Sequence, residues 1–301
     1  MMRRITAVAL VLLLTGCAAG MVPGGRSALP GPQDTYMRAL PVVDYGTYEW
    51  SVGDAVGRWK AGTLWATLAA KHVDDMLVSF DDAELATYST RAGKAVLNAV
   101  IKDGATHHVR FELLLGDPRY IPPSGIPTME AIWKQLQGVN FAGLNLDLEP
   151  NEVKGTPLRT VLDELVSSMH AYVTASPWQP VALDLDYYYA NGALGVKGYC
   201  LVCHLQSAGV RSIALMTYIR GPQIVASDVT PLLVQYPKIG FTIAQDVDPY
   251  PAYPQDSYWS LGFSKFYDDM QSLNARLTQA RLGNYQGIVI QSFHSLVRMK
   301  P

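Results

Sequence analysis

The chain has 301 residues, a formal net charge of −2, and a composition that is 49% apolar and 17% charged. This balance fits a well-packed globular protein with room for one large α/β domain or two modest ones, and gives no sign of extensive disorder. It also excludes the strong basic field of a nucleic-acid binder, because no Lys/Arg-rich run interrupts the domain, and it favours a neutral or mildly charged ligand.

At the start, Arg3 and Arg4 precede an apolar run from Ile5 to Leu14. That run is too short for a stable membrane span and reads as an export signal covering residues 1–16. It ends in "LTGC", residues 14–17, which resembles the bacterial lipoprotein signal. The resemblance implies cleavage before Cys17 and lipidation of that cysteine, which would anchor the protein to a membrane. Ala18, where Asp would mark inner-membrane retention, resembles outer-membrane lipoproteins. The alternative is an ordinary signal peptide with a chance cysteine. Residues 17–40 are rich in Gly, Ala and Pro without an apolar period and read as a tether, with a reach of about 25 Å.

From Leu40 onward, short β-rich runs alternate with helical stretches: "LPVVDYGTY", "MLVSFDD", "HVRFELLLGD", "FAGLNLDLE", "PVALDLDYYY", "RSIALMTYIR", "KIGFTIAQD" and "QGIVIQSFH". Their spacing, mostly about 30–40 residues, is that of a strand, a crossover helix and two loops, which implies parallel pairing. Helices are expected around 56–72, 83–103, 127–138, 222–236 and 262–281, and another starts with Thr156 as N-cap and Pro157 at its first position. Eight such units over residues 41–301 predict a single-domain (β/α)8 TIM barrel. The competing open doubly wound sheet would carry a Gly-rich phosphate turn, and no such motif occurs.

Alternation along the strands assigns faces. In "FAGLNLDLEP", Leu144, Leu146 and Leu148 face the helices, while Asn145, Asp147 and Glu149 face the barrel axis near its catalytic mouth. The same parity turns Asp184 and Asp186 inward, then Met216, Tyr218 and Arg220, then Thr242, Ala244 and Asp246. Asp44 and Asp81 are looser candidates, Gln291 is ambiguous, and His294 follows it. Arg110 and Glu112 lie low on the third strand, where an ion pair filling the barrel is the expected role. Aromatic residues gather after strand ends: Trp50, Tyr187, Tyr188, Tyr189, Tyr250, Tyr253, Tyr258 and Trp259. Such rings suit the apolar faces and hydroxylated edges of sugars, although loop packing explains any single one.

Once Cys17 is assigned, Cys200 and Cys203 remain, in "CLVC". No second pair of ligands matches them, so a small disulfide loop is expected rather than zinc or redox catalysis, with free buried thiols still open.

"AGLNLDLE" resembles the fourth-strand signature D-G-x-D-x-D-x-E of chitinase-like family 18 glycoside hydrolases, and "MTYIR" is similar to the sixth-strand M-x-Y-D pattern. The resemblance implies that Glu149 is a proton donor assisted by Asp147, and places Met216 and Tyr218 on matching positions. The chain departs from the pattern at Ala142, Asn145, Leu148 and Ile219. The last departure bears on the family's substrate-assisted mechanism.

These readings lead to a glycoside hydrolase-like lipoprotein of the cell envelope, lipid-anchored at the outer membrane. It would act on an envelope or extracellular polysaccharide and need no cofactor and no metal. Catalysis falls to Glu149 and Asp147, and substrate binding to Asn145, Asp184, Asp186, Tyr187, Met216, Tyr218, Arg220, Asp246, Gln291 and Trp50. The expected partners are a glycan, the membrane through the lipid on Cys17, and an envelope protein complex. One alternative is a non-catalytic carbohydrate-binding barrel in an export assembly; another is a metal-dependent phosphodiesterase-like barrel using the same acids.

Overall fold

The strands form where β-branched and leucine-rich runs alternate, and all pair in parallel. They are β1 (Tyr45–Glu49), β2 (Val73–Val78), β3 (Arg110–Leu115), β4 (Leu144–Asp147), β5 (Val181–Asp186), β6 (Ser212–Met216), β7 (Gly240–Asp246) and β8 (Tyr285–Gln291). Each pairs with the next and β8 returns to β1, closing the barrel. The fold is a (β/α)8 TIM barrel. This computed structural model describes residues 45–250 and 254–301; the export signal, Cys17, the tether, Asp44 and Tyr253 lie outside the described residues.

Strand parity separates two cores. Leu144, Leu146 and Leu148 are all fully buried in the large layer between the strands and the helices. Inside the barrel, a smaller apolar layer joins Tyr48, Leu77, Leu114, Ala214, Met216, Ala244 and Val289, with Tyr218 packed on it. Truncating Leu148 to Ala removes contacts only from the outer layer. Leu148→Ala is therefore expected to cost about 2–5 kcal/mol of stability, read by urea denaturation, with little direct effect on chemistry at the mouth.

The helices follow the expected stripes but break where local geometry demands it. The span 56–72 is two helices, Val52–Lys60 and Leu64–Ala70, with Gly62 between them at φ +71. The left-handed conformation at Gly62 cannot continue a right-handed helix. The span 83–103 also divides, into Asp82–Tyr88 and Arg91–Thr106. Extended Thr90 separates the two, and its side chain caps the second by accepting from the Gly93 amide. Asp81 does not face the barrel axis: it is the N-cap of Asp82–Tyr88, where it forms a reciprocal capping box with Glu84.

The helix after β4 is Leu158–Ala175. Pro157, at ψ 135, lies outside it as the N-cap, so Thr156 is not the cap. Helices Ile126–Leu136, Pro222–Gln235 and Phe263–Gln279 lie close to expectation. Two short ones, Tyr187–Ala190 and Leu201–Ser207, were hidden by their lack of a full apolar period. Cys200 and Cys203 are joined by a disulfide at the start of the second, with their Cα atoms 5.3 Å apart.

Candidate active site

Two adjacent strands bring the central acids together. Asp147 pairs in register with Asp184 across β4 and β5, and Glu149 follows just past the end of β4, where Pro150 starts a 3-10 turn. Gly116, after β3, makes room for this arrangement: a Cβ there would stand 3.2 Å from the Asp147 Cβ. Asp184 is fully buried. Tyr48 of β1 and Tyr218, beyond β6, complete the group. Asp184 and Asp147 both act electrostatically on the Tyr48 phenol, and those two with Asp246 and Glu149 act on that of Tyr218.

The acids are held in a poorly solvated setting that disfavours their charged forms. Burial, followed by the charge of Glu149, pushes Asp147 up to about 7. Burial also raises Glu149, with Glu152 and Asp186 adding to the rise and a hydrogen bond from Asn151 Nδ2 opposing it. Asp184 is raised well above the usual carboxylate range by burial and by Asp147. Like-charge repulsion inside the Asp147–Glu149 pair, which strand spacing alone points to, is thus secondary to desolvation. Oδ1 of Asp147 and both carboxylate oxygens of Asp184 lack a hydrogen bond of ordinary geometry. Such orphaned acceptors are costly in a finished interior and are common where a ligand or proton completes the group.

The other expected site residues divide into two sets. Asp246 ends β7 opposite Gln291 of β8; its Oδ1 accepts from the Asp248 amide at 2.6 Å, its Oδ2 has no partner, and burial lifts it to about 7. Asp186 caps Tyr187–Ala190 through the Tyr188 amide and is raised by burial. Trp50 stacks on Tyr48 with ring centroids 6.0 Å apart and is 38% exposed, so it offers a flat face at the opening. Met216 belongs to the inner apolar layer and pairs in register with Asp186.

Four residues lie elsewhere than parity or position predicts. Arg220 donates from Nε to the Ser257 carbonyl at 2.6 Å and from Nη2 to the Pro254 carbonyl and Ser260 Oγ, so it fastens the loop after β7 rather than awaiting substrate. The strand it was assigned to ends at Met216, and alternation ends with it. Tyr187 starts a helix and donates to the Asp228 carbonyl at 3.2 Å, between secondary-structure elements. Asn145 points inward but one step below Asp147, where it lines a separate cavity at the other end of the barrel. Tyr258 is fully buried, and its hydroxyl accepts from the Gly221 amide, a structural anchor rather than a sugar platform.

Tyr48 is the residue that sequence reasoning missed. The signal was available: in "DYGTYEW" it shares parity with Gly46, which faces the barrel interior. Glu49, next to it, is buried on the outer side of β1, where its Oε1 accepts from the Ser51 amide and burial pushes it up to about 7. Among the described residues, no group of three or more His, Cys, Asp or Glu side chains is arranged to hold a metal ion, so the phosphodiesterase reading gains no support.

No family model matches the chain, and no curated protein matches it. Solved structures with a similar fold include D-psicose 3-epimerase with D-tagatose from Clostridium cellulolyticum H10, at 13% identity and TM-score 0.49, covering 83% of this chain and 84% of that one. Virulence factor SghA from Agrobacterium tumefaciens is similar at 11% identity and TM-score 0.47, covering 79% and 77%. The endo-beta-N-acetylglucosaminidase from Cordyceps militaris is similar at 9% identity and TM-score 0.44, covering 74% and 72%. Likenesses this distant leave the function to the residues of the site.

Proposed function

We propose that the protein is a glycoside hydrolase acting on an envelope or extracellular polysaccharide, with Glu149 as general acid and Asp147 as its partner. The observation that carries this reading is the pair of acids at the C-terminal end of β4, both raised by burial. An acid that keeps its proton near neutral pH can deliver it to a glycosidic oxygen as the bond breaks. The exposed face of Trp50, stacked on Tyr48, supports a sugar-shaped ligand. Asp184, Asp186 and Asp246 are the candidates for a second carboxylate acting on the sugar or on water. The test is a screen of bacterial polysaccharides for release of reducing ends. Release from one of them supports the proposal, and inertness toward every one of them counts against it.

A second reading, a barrel that binds glycan without cleaving it, is favoured by Ile219, which stands where the resemblance places an acid. Glycan-dependent quenching of Trp fluorescence without product would select it.

The lipid anchor is part of the same proposal. Cys17→Ser is expected to move the protein from the membrane fraction to the soluble one with its fold intact, as read by cell fractionation and circular dichroism. Unchanged membrane association would remove Cys17 as the anchor.

A further inference from the structure

At the N-terminal ends of the strands, away from Asp147 and Glu149, the barrel holds a cavity of about 500 Å³. Barrel interiors are usually filled at this level by large branched side chains. Here the inward positions include Gly46, Ala182, Ser212, Thr242 and Gly287, which leave the space open. The volume is within the range of small-molecule sites, roughly 300–1,000 Å³. Leu77, Ala214 and Val289 of the inner apolar layer also line it, so that layer lies between this cavity and the mouth.

One wall is strongly polar. Arg110 Nη2 donates to Asp75 Oδ2 at 2.5 Å and stands 3.8 Å from Glu112 Oε1, so a single guanidinium serves two carboxyls. The glycine at 143 leaves room for the second of these: a Cβ there would come within 3.1 Å of Glu112 Cδ. Two acceptors on this wall, Asp75 Oδ1 and Asn145 Oδ1, are buried without a partner, and Asn145 as a whole is only 6% exposed. Arg211, at the rim, donates to the carbonyls of Gln206 and Val210. Burial and the charge of Glu112 push Asp75 up to about 8 in spite of Arg110. By geometry, the lining sets three carboxyls, Asp74, Asp75 and Glu112, against two guanidinium groups, Arg110 and Arg211, and has two unpartnered acceptors.

We propose that this cavity is a second ligand site, taking a small hydroxylated organic cation whose primary ammonium rests against Asp75, Glu112 and Asn145. An ammonium brings three donors and no acceptor, which meets both orphaned oxygens and adds a third cation to a lining of three carboxyls and two guanidinium groups. A neutral polyol of the same size would answer the hydrogen bonds without the charge, and an anion would meet two carboxyls. Across the cavity, Ser212 donates to Gln286 Oε1 at 3.1 Å, which leaves the Gln286 amide nitrogen and the Thr242 hydroxyl for the ligand's own hydroxyls.

Calorimetry on the folded protein, with glucosamine and ethanolamine as probes and glucose as the neutral comparison, tests this. Saturable binding of at least one amine is expected, with glucose at least tenfold weaker. Glu112→Gln should weaken the amine at least tenfold, and Ala182→Leu, which fills the cavity, should abolish binding. Glu149→Gln should leave it unchanged. Asp75→Asn serves in place of Ala182→Leu if the latter fails to fold by circular dichroism, and should weaken binding as Glu112→Gln does. Absence of saturable binding by either amine would show a cavity that holds only water and overturn the proposal. Equal affinity for glucose, or loss of binding in Glu149→Gln alone, would overturn it as well, the latter by moving the amine to the mouth.

Discussion

Replacing Glu149 by Gln is expected to lower turnover on the responsive glycan by about 10²- to 10⁴-fold, the usual worth of general acid catalysis. Gln keeps the shape of the side chain and can still pair with Asn151, so glycan binding should survive and separate loss of chemistry from loss of structure. The companion change, Asp147→Asn, also lowers the rate but acts through the proton. Burial raises both acids, and the charge of Glu149 adds to the rise of Asp147. Asp147→Asn removes the carboxyl that is lifted to about 7, so an alkaline limb set by Asp147 disappears from the rate profile, while Glu149 stays raised by its own burial. Full activity in Glu149→Gln would refute its role as the proton donor, and an unmoved alkaline limb in Asp147→Asn would show that Asp147 does not set it.

Folding stability is expected to fall as pH rises from about 4.5 to 8. Acids whose folded pKa lies above the unfolded value bind more protons in the folded state, so the stability they allow is fully present below the unfolded pKa and is lost on the way to the folded one. Glu49 and Asp246, both almost fully buried, and Asp147 are each lifted to about 7. Unfolded carboxyls titrate near 4, so one such group acting alone costs about 3 kcal/mol across this window. In a protein of this size that corresponds to a loss in melting temperature on the order of 10 °C. Thermal melts at fixed ionic strength read the slope. Asp246→Asn should flatten it, since an amide keeps the shape but cannot ionise. A melting temperature that rises between these pH values would contradict the burial of these acids as charged groups.

Some features were legible along the chain because they are local. The spacing of the β-rich runs implies parallel pairing whatever the packing, and the period of two along β4 separates Leu144, Leu146 and Leu148 from Asn145 and Asp147 before any neighbour is known. A lone strand suffices for that division.

Other features depend on partners far away in the chain. Asp147 and Asp184 meet only because β4 and β5 pair in one register, and Tyr48 joins them only because β8 closes onto β1. Arg220 could not be assigned by parity once β6 had ended; its direction is set by carbonyls of the loop after β7 that lie more than thirty residues on. The partner of Arg110 was decided in the same way: Glu112 shares its strand, but the guanidinium meets Asp75 on the neighbouring one because the two residues pair across β2 and β3. Side-chain direction on a strand is a property of the local backbone, whereas desolvation and charge pairing sum over every element that surrounds a group. The sequence could therefore assign Glu149 and Asp147 to the mouth, and only the closed barrel supplies the burial that raises both.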